Sequence, residues 1–247
     1  MKNLMIPALA LFLSAAAQAD DSPLWMRYCA ISPDGQFFND TATTEIYTVP
    51  SSGGKARQLT THPAHDTRPV WSPDGQKIAF ASNRSGNFDV FLMNKEGGEP
   101  KRLTTHSTNE YPTTFKDNGH ILYLANILQD AKDIQFPGTR FMQVYEISTD
   151  GGRPDLYSSL YMENIALSKD GSKLLYNDYK GYEDPWRKHH QSSITRDIWL
   201  CTLGKDRSFQ KVTTFGGEDR NPVWAADGAS FYYLSEEKGS FNIFKKD

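Results

Sequence analysis

Apolar residues in this chain come in short runs, most of them alternating with polar or small residues, and each run stops at a turn. Lys77-Ile-Ala-Phe-Ala-Ser82 sets Ile78 and Phe80 two residues apart, the period of a β-strand. Before it, Pro69-Val-Trp71 halts at Ser72-Pro73-Asp74-Gly75, a turn in which Pro restricts φ and Gly accepts a positive one. Asn83-Arg-Ser-Gly-Asn87 predicts the next turn, Asp89-Val-Phe-Leu-Met93 a third strand, and Glu96-Gly-Gly-Glu99 a turn into a fourth, Pro100-Lys-Arg-Leu-Thr104. After the first twenty or so residues no sustained helical period occurs, which predicts an all-β chain.

The same order is written repeatedly. Arg68-Pro-Val-Trp-Ser-Pro-Asp-Gly75 returns as Asn221-Pro-Val-Trp-Ala-Ala-Asp-Gly228 and, more loosely, from Tyr28, Pro112 and Asn164, at spacings of 40 to 57 residues. Four short antiparallel strands repeated at such a period predict the blades of a β-propeller. The expectation is about five four-stranded blades, near 28–61, 68–105, 111–160, 163–214 and 221–247, as part of a six- or seven-bladed ring. The last blade is expected to be incomplete, because the chain stops in a third strand at Phe244-Lys-Lys-Asp247; it therefore reads as the front part of a longer protein. In the first copy, the tract 36–44 replaces the Lys-x-Ile-Ala-Phe pattern and gives only a weak signal for a second strand. Ile31, Trp71, Phe115, Leu167 and Trp224, just before each first turn, are expected to pack between blades.

Composition refines this picture. Lys2, the apolar run 4–17 and Ala17-Gln18-Ala19 have the form of a secretory signal peptide over residues 1–19, cleaved after Ala19. The run is shorter than the roughly 20 residues of a membrane span, so export to a periplasm is expected, with full secretion as the alternative. A net charge of −3 argues against non-specific nucleic-acid binding, which rests on basic patches. Cys29 and Cys201 fall three repeats apart and read as two buried thiols rather than a disulfide.

Two segments stretch the period between the second and third strands, 129–140 and 180–196. The second holds a basic and aromatic cluster of Tyr182, Trp186, Arg187, Lys188, His189 and His190. Such loops often carry the binding surface of a repeat protein, which makes the cluster a candidate contact for a peptide or a protein. The alternative is a solvated loop with Trp186 tucked into its own blade. Adjacent histidines cannot easily aim at one ion, and the Asp-Gly turns lack the dense carboxylates of a calcium loop, so neither metal nor cofactor is expected. Ser235-Glu-Glu-Lys238 fits Ser-x-x-Lys but occupies a turn position. His62 and His106 sit at equivalent positions after Leu-Thr-Thr, which predicts a shared structural role. No catalytic constellation stands out.

The unit Asp-x-x-Pro-x-Trp-Ser-Pro-Asp-Gly-x-x-Ile-Ala-Phe, followed by Asp-Ile-Tyr-like and Gly-Gly-x-x-x-x-Leu-Thr elements, resembles the WD-like repeat of TolB and of tricorn-type proteases. The fourth-repeat insertion from Tyr179 to Trp199 and the start Ser22-Pro-Leu-Trp25 look most like the N-terminal propeller of exported bacterial tricorn-like serine proteases. That resemblance implies a non-catalytic propeller that gates or guides peptide substrates, with further blades, a PDZ-like domain and a protease core as its partners. A free-standing TolB-like binding or scaffolding propeller is the alternative.

Overall fold

The computed structural model of the protein describes residues 27–42, 44–127, 142–181 and 191–247. The first sheet contains β1 (Ala30–Ile31), β2 (Phe37–Ala42), β3 (Glu45–Pro50) and β4 (Arg57–Gln58). The second contains β5 (Asp66–Trp71), β6 (Lys77–Ser82), β7 (Asp89–Asn94) and β8 (Gly97–Arg102), and the third β9 (Glu110–Asp117), β10 (His120–Ala125), β11 (Gln143–Ser148) and β12 (Asp155–Ser158). The fourth contains β13 (Met162–Leu167), β14 (Lys173–Asp178), β15 (Ile198–Thr202) and β16 (Ser208–Lys211), and the fifth β17 (Asp219–Trp224), β18 (Phe231–Ser235) and β19 (Asn242–Lys246). Every pairing is antiparallel between consecutive strands, as in propeller blades.

The blade count corrects the sequence expectation of about five or more. Four blades are well developed, β5–β8, β9–β12, β13–β16 and β17–β19. The N-terminal sheet falls short of a blade: its outer strands β1 and β4 have two residues each. The cause is the tract 36–44, which forms strand β2 despite its weak signal but carries Asn39 where the second repeat has Ala79. This sheet supplies Ile46 and Leu59 to the buried apolar core.

Four hydrophobic clusters join consecutive sheets. Ile46 and Leu59 meet Ile78, Phe80 and Trp71; Ala79 and Leu92 meet Phe115, Ile121 and Tyr123. Leu122 and Leu124 meet Met162, Leu174 and Tyr176; Leu175 and Ile198 meet Phe231 and Trp224. The second strands β6, β10 and β14 therefore split their alternating residues between two neighbours, Ile78 and Phe80 towards one, Ala79 towards the other. Trp71, Phe115, Leu167 and Trp224 pack between sheets as expected, whereas Ile31 is 71% exposed because β1 is too short to hold it against a neighbour.

Other sequence readings meet their structural counterparts here. The Ser-Pro-Asp-Gly turns close on themselves: Ser32 and Ser72 Oγ donate to Asp34 and Asp74 Oδ1 at 2.6 Å, and Ser168 does the same to Asp170. Hydrogen bonds from Ser168 and Ser172 lower the Asp170 carboxyl to about 2. His62 and His106 do share a role, each Nδ1 accepting the backbone N–H two residues on, at 3.1 and 3.2 Å. Ser235 is buried and its Oγ accepts the N–H of Glu237, a turn contact. Cys201 is buried, but Cys29 is exposed; its strand slot lies on the short first sheet, which does not cover it.

Candidate binding site on the axial face

The antiparallel register fixes which features share a face. Asp66 lies opposite Ser82, and Met162 opposite Asp178, so the start of each first strand adjoins the link between second and third strands. The segments 128–141 and 182–190 both leave from such links, at the end where the innermost strands begin. Tyr182, Trp186, Arg187, Lys188, His189 and His190 lie outside the described residues; the roots of their segment do not.

Those roots are tied down by charge. Lys180 Nζ binds Asp197 Oδ2 and the carbonyl of Thr195 (2.8 Å), with Asp178 Oδ2 at 3.4 Å. Asp178 also accepts the Asp197 N–H at 2.8 Å and the Trp199 indole N–H at 3.0 Å. Arg196 Nε donates to Glu163 Oε2 at 2.8 Å and its Nη1 to Glu218 Oε1 at 3.2 Å. Burial works against the Arg196 charge, and Glu163 and Glu218 outweigh it, raising its pKa. The Tyr161 hydroxyl takes the other oxygen of Glu163 at 2.9 Å, and its ring lies 4.5 Å from that of Tyr179. Both ends of the segment thus converge on Tyr161 and Glu163.

Tyr161 and Glu163 in turn form one wall of a cleft of about 380 Å³ between the innermost strands. Its other walls carry Tyr28, Arg68, Tyr111 and the apolar groups Val70, Leu124, Met142 and Ile165. Burial raises the pKa of Tyr161 and of Tyr111, so both remain neutral hydroxyls at any physiological pH. Repeat-equivalent bulges line this axis: Tyr28, Arg68, Asn164 and Asn221 all have φ between 50 and 56°. The register shifts beside three of them, between Thr67 and Val70, Glu163 and Ala166, and Arg220 and Val223. The third repeat has Pro112 at this position, whose ring forbids positive φ.

Sequence reasoning missed this cleft. Its signal was available at Arg68, a long cation at a repeat position held elsewhere by Asn, Tyr or Pro. The insertion was legible because it breaks the period; the cleft is assembled from residues that keep it.

No helix among the described residues is long and apolar enough to cross a membrane. Fold and axial cleft together define a β-propeller domain built from WD-like repeats. The profile of the tricorn protease N-terminal beta propeller domain matches residues 23–247, and the chain belongs to that family. It is similar to a tricorn protease homolog from Saccharolobus solfataricus, 21% identical over 219 residues, covering 86% of this chain and 19% of that protein. The chain thus spans about a fifth of that relative's length. Among solved structures, the tricorn protease matches with a TM-score of 0.68 at 19% identity, covering 90% of this chain and 21% of that one. TolB from Acinetobacter baumannii matches with a TM-score of 0.63 at 16% identity, over 90% of this chain and 52% of that one.

Proposed function

We propose that this chain is the non-catalytic propeller portion of an exported tricorn-like serine protease, where it receives and guides peptide substrates. The observation that carries this reading is the axial cleft, walled by tyrosines, one arginine and aliphatic groups, on the face from which both long segments depart. Such a lining suits an extended peptide, whose side chains need apolar contact and a few fixed polar partners. Hydrolysis belongs to a protease core elsewhere, and residues 1–19 act as the export signal, placing the protein in the periplasm. The basic and aromatic residues from Tyr182 to His190 add to the contacts with the substrate.

The test is binding of fluorescein-labelled peptides from unfolded casein to the purified chain, with hydrolysis followed in parallel. Saturable binding without cleavage is expected, weakened by Tyr111→Ala and by paired Trp186→Ala and Arg187→Ala. Absence of binding, or turnover by the isolated chain, would sink the reading.

The likeness to TolB favours a second reading, a free-standing periplasmic protein-binding propeller. The mass of the native product from cell envelopes separates the two. A mass well above 27.9 kDa with peptides of a protease core supports the first, and a mass at or below it supports the second.

A further inference from the structure

Arg68 lies over two aromatic rings. Its guanidinium carbon lies 4.2 Å from the ring centre of Tyr111 and 5.3 Å from that of Tyr28, and Phe88 backs Tyr111 with ring centres 5.4 Å apart. Stacking covers the faces of a guanidinium and leaves its in-plane N–H edge to make hydrogen bonds. Among the described residues no carboxylate pairs with that edge. Glu163, the acidic group of the cleft wall, has one oxygen on Arg196 and the other on Tyr161.

The position is also strained. Arg68 has φ 53°, a left-handed conformation that is strained for a non-glycine residue. Asn, which tolerates that region, fills the equivalent sites at Asn164 and Asn221. Here a long cation occupies the bulge and reaches the cleft.

Resting on the peptide-binding reading above, we infer that Arg68 is the anion-receiving group of the axial cleft. Its ligand is an extended peptide that sets an acidic side chain on the guanidinium edge and an adjacent apolar side chain against Val70, Leu124, Met142 and Ile165. A planar fork of donors matches the two oxygens of a carboxylate, and the apolar wall beside it selects the neighbouring residue.

The experiment measures fluorescence anisotropy of the purified chain with two labelled, acetylated and amidated peptides. They differ only in a central Phe-Glu-Leu or Phe-Gln-Leu. The Glu peptide is expected to bind about tenfold more tightly at low salt, the size of one charge-assisted contact. In Arg68→Asn, which copies the equivalent repeats and should melt as the parent does, both peptides are expected to bind alike; Arg68→Lys is expected to keep part of the preference. Equal binding of the two peptides to the parent chain, or a preference that survives Arg68→Asn, overturns the inference. So does a Gln peptide with a free C-terminus that regains the lost affinity, because the terminus would then be the group bound. If neither peptide binds, the peptide-guiding function itself fails and the inference falls with it.

Discussion

The indole Nε1–H of Trp224 donates to the carbonyl oxygen of Ala166, 3.0 Å away in the preceding blade. Trp71 does the same to Ala30 at 3.3 Å, and Ala30 and Ala166 occupy equivalent places two residues before their turns. The bond recurs because the repeat places an aromatic residue and an open carbonyl at matching heights on neighbouring inner strands. Phe115 fills the same slot and cannot donate, so the bond adds to apolar packing without replacing it. Trp224→Phe is expected to lower unfolding stability by about 1–2 kcal/mol, from the lost bond and some lost packing. Trp71→Phe is expected to cost less, since its bond is longer and reaches the short first sheet. Urea unfolding of both variants checks the order.

Glu110 makes stability depend on pH. It is 1% exposed, its Oε2 has no hydrogen-bond partner among the described residues, and burial followed by the nearby Asp89 raises its carboxyl from 4.5 to about 7. Asp89 itself pairs with Arg102 at 2.8 Å. Between pH 4.5 and 7 the folded chain keeps a proton that the unfolded chain has lost. Stability therefore falls as pH rises through that window, and the contribution is gone above it. The span corresponds to about 3 kcal/mol at most. Glu110→Gln is expected to flatten this slope and to be more stable than the parent at pH 8, but not at pH 4.5. Chemical denaturation across the range reads it directly.

Gly97 and Gly151 share a conformation but differ in surroundings. Their φ values are 85 and 83°, yet a Cβ on Gly97 would lie 3.0 Å from the carbonyl oxygen of Leu59, while nothing lies within 4 Å of one on Gly151. Gly151→Ala should cost about 1 kcal/mol for the backbone alone, and Gly97→Ala clearly more, because a backbone carbonyl must yield. Equal melting losses for the two would refute the contact.

Asn39 is fully buried, and among the described residues neither its Oδ1 nor its Nδ2 has a partner. The equivalent positions on β6 and β14 carry Ala79 and Leu175. Asn39→Ala is expected to stabilise the chain by about 1 kcal/mol, since an unsatisfied buried amide costs more than the small void left. A fall in stability would mean that the amide has a partner in solution.

Periodicity made the strands, turns and inter-blade packing legible, because each follows from local alternation. Ile78 and Phe80 against Ala79 could be read two residues at a time. The number of full blades could not, since it depends on whether 36–44 can support neighbours far away in the chain. The axial cleft was hidden for a related reason. Tyr28, Arg68, Tyr111 and Tyr161 come from four repeats, and each looks like an ordinary strand residue until closure of the inner strands brings them together. The insertion was visible as an interruption, and its described roots Tyr179 and Arg196 contact Tyr161 and Glu163 of that cleft.

The division of β6, β10 and β14 between two neighbours puts the unit that repeats out of phase with the unit that packs. A blade carries half of one core and half of the next: Ile121 and Tyr123 complete the core begun by Ala79, while Leu122 and Leu124 open another. Duplicating or exchanging a repeat at its turns would keep every sheet intact yet create a junction between halves that were never fitted together. Copies that persist in such a lineage must therefore match their neighbours' faces more closely than they match each other.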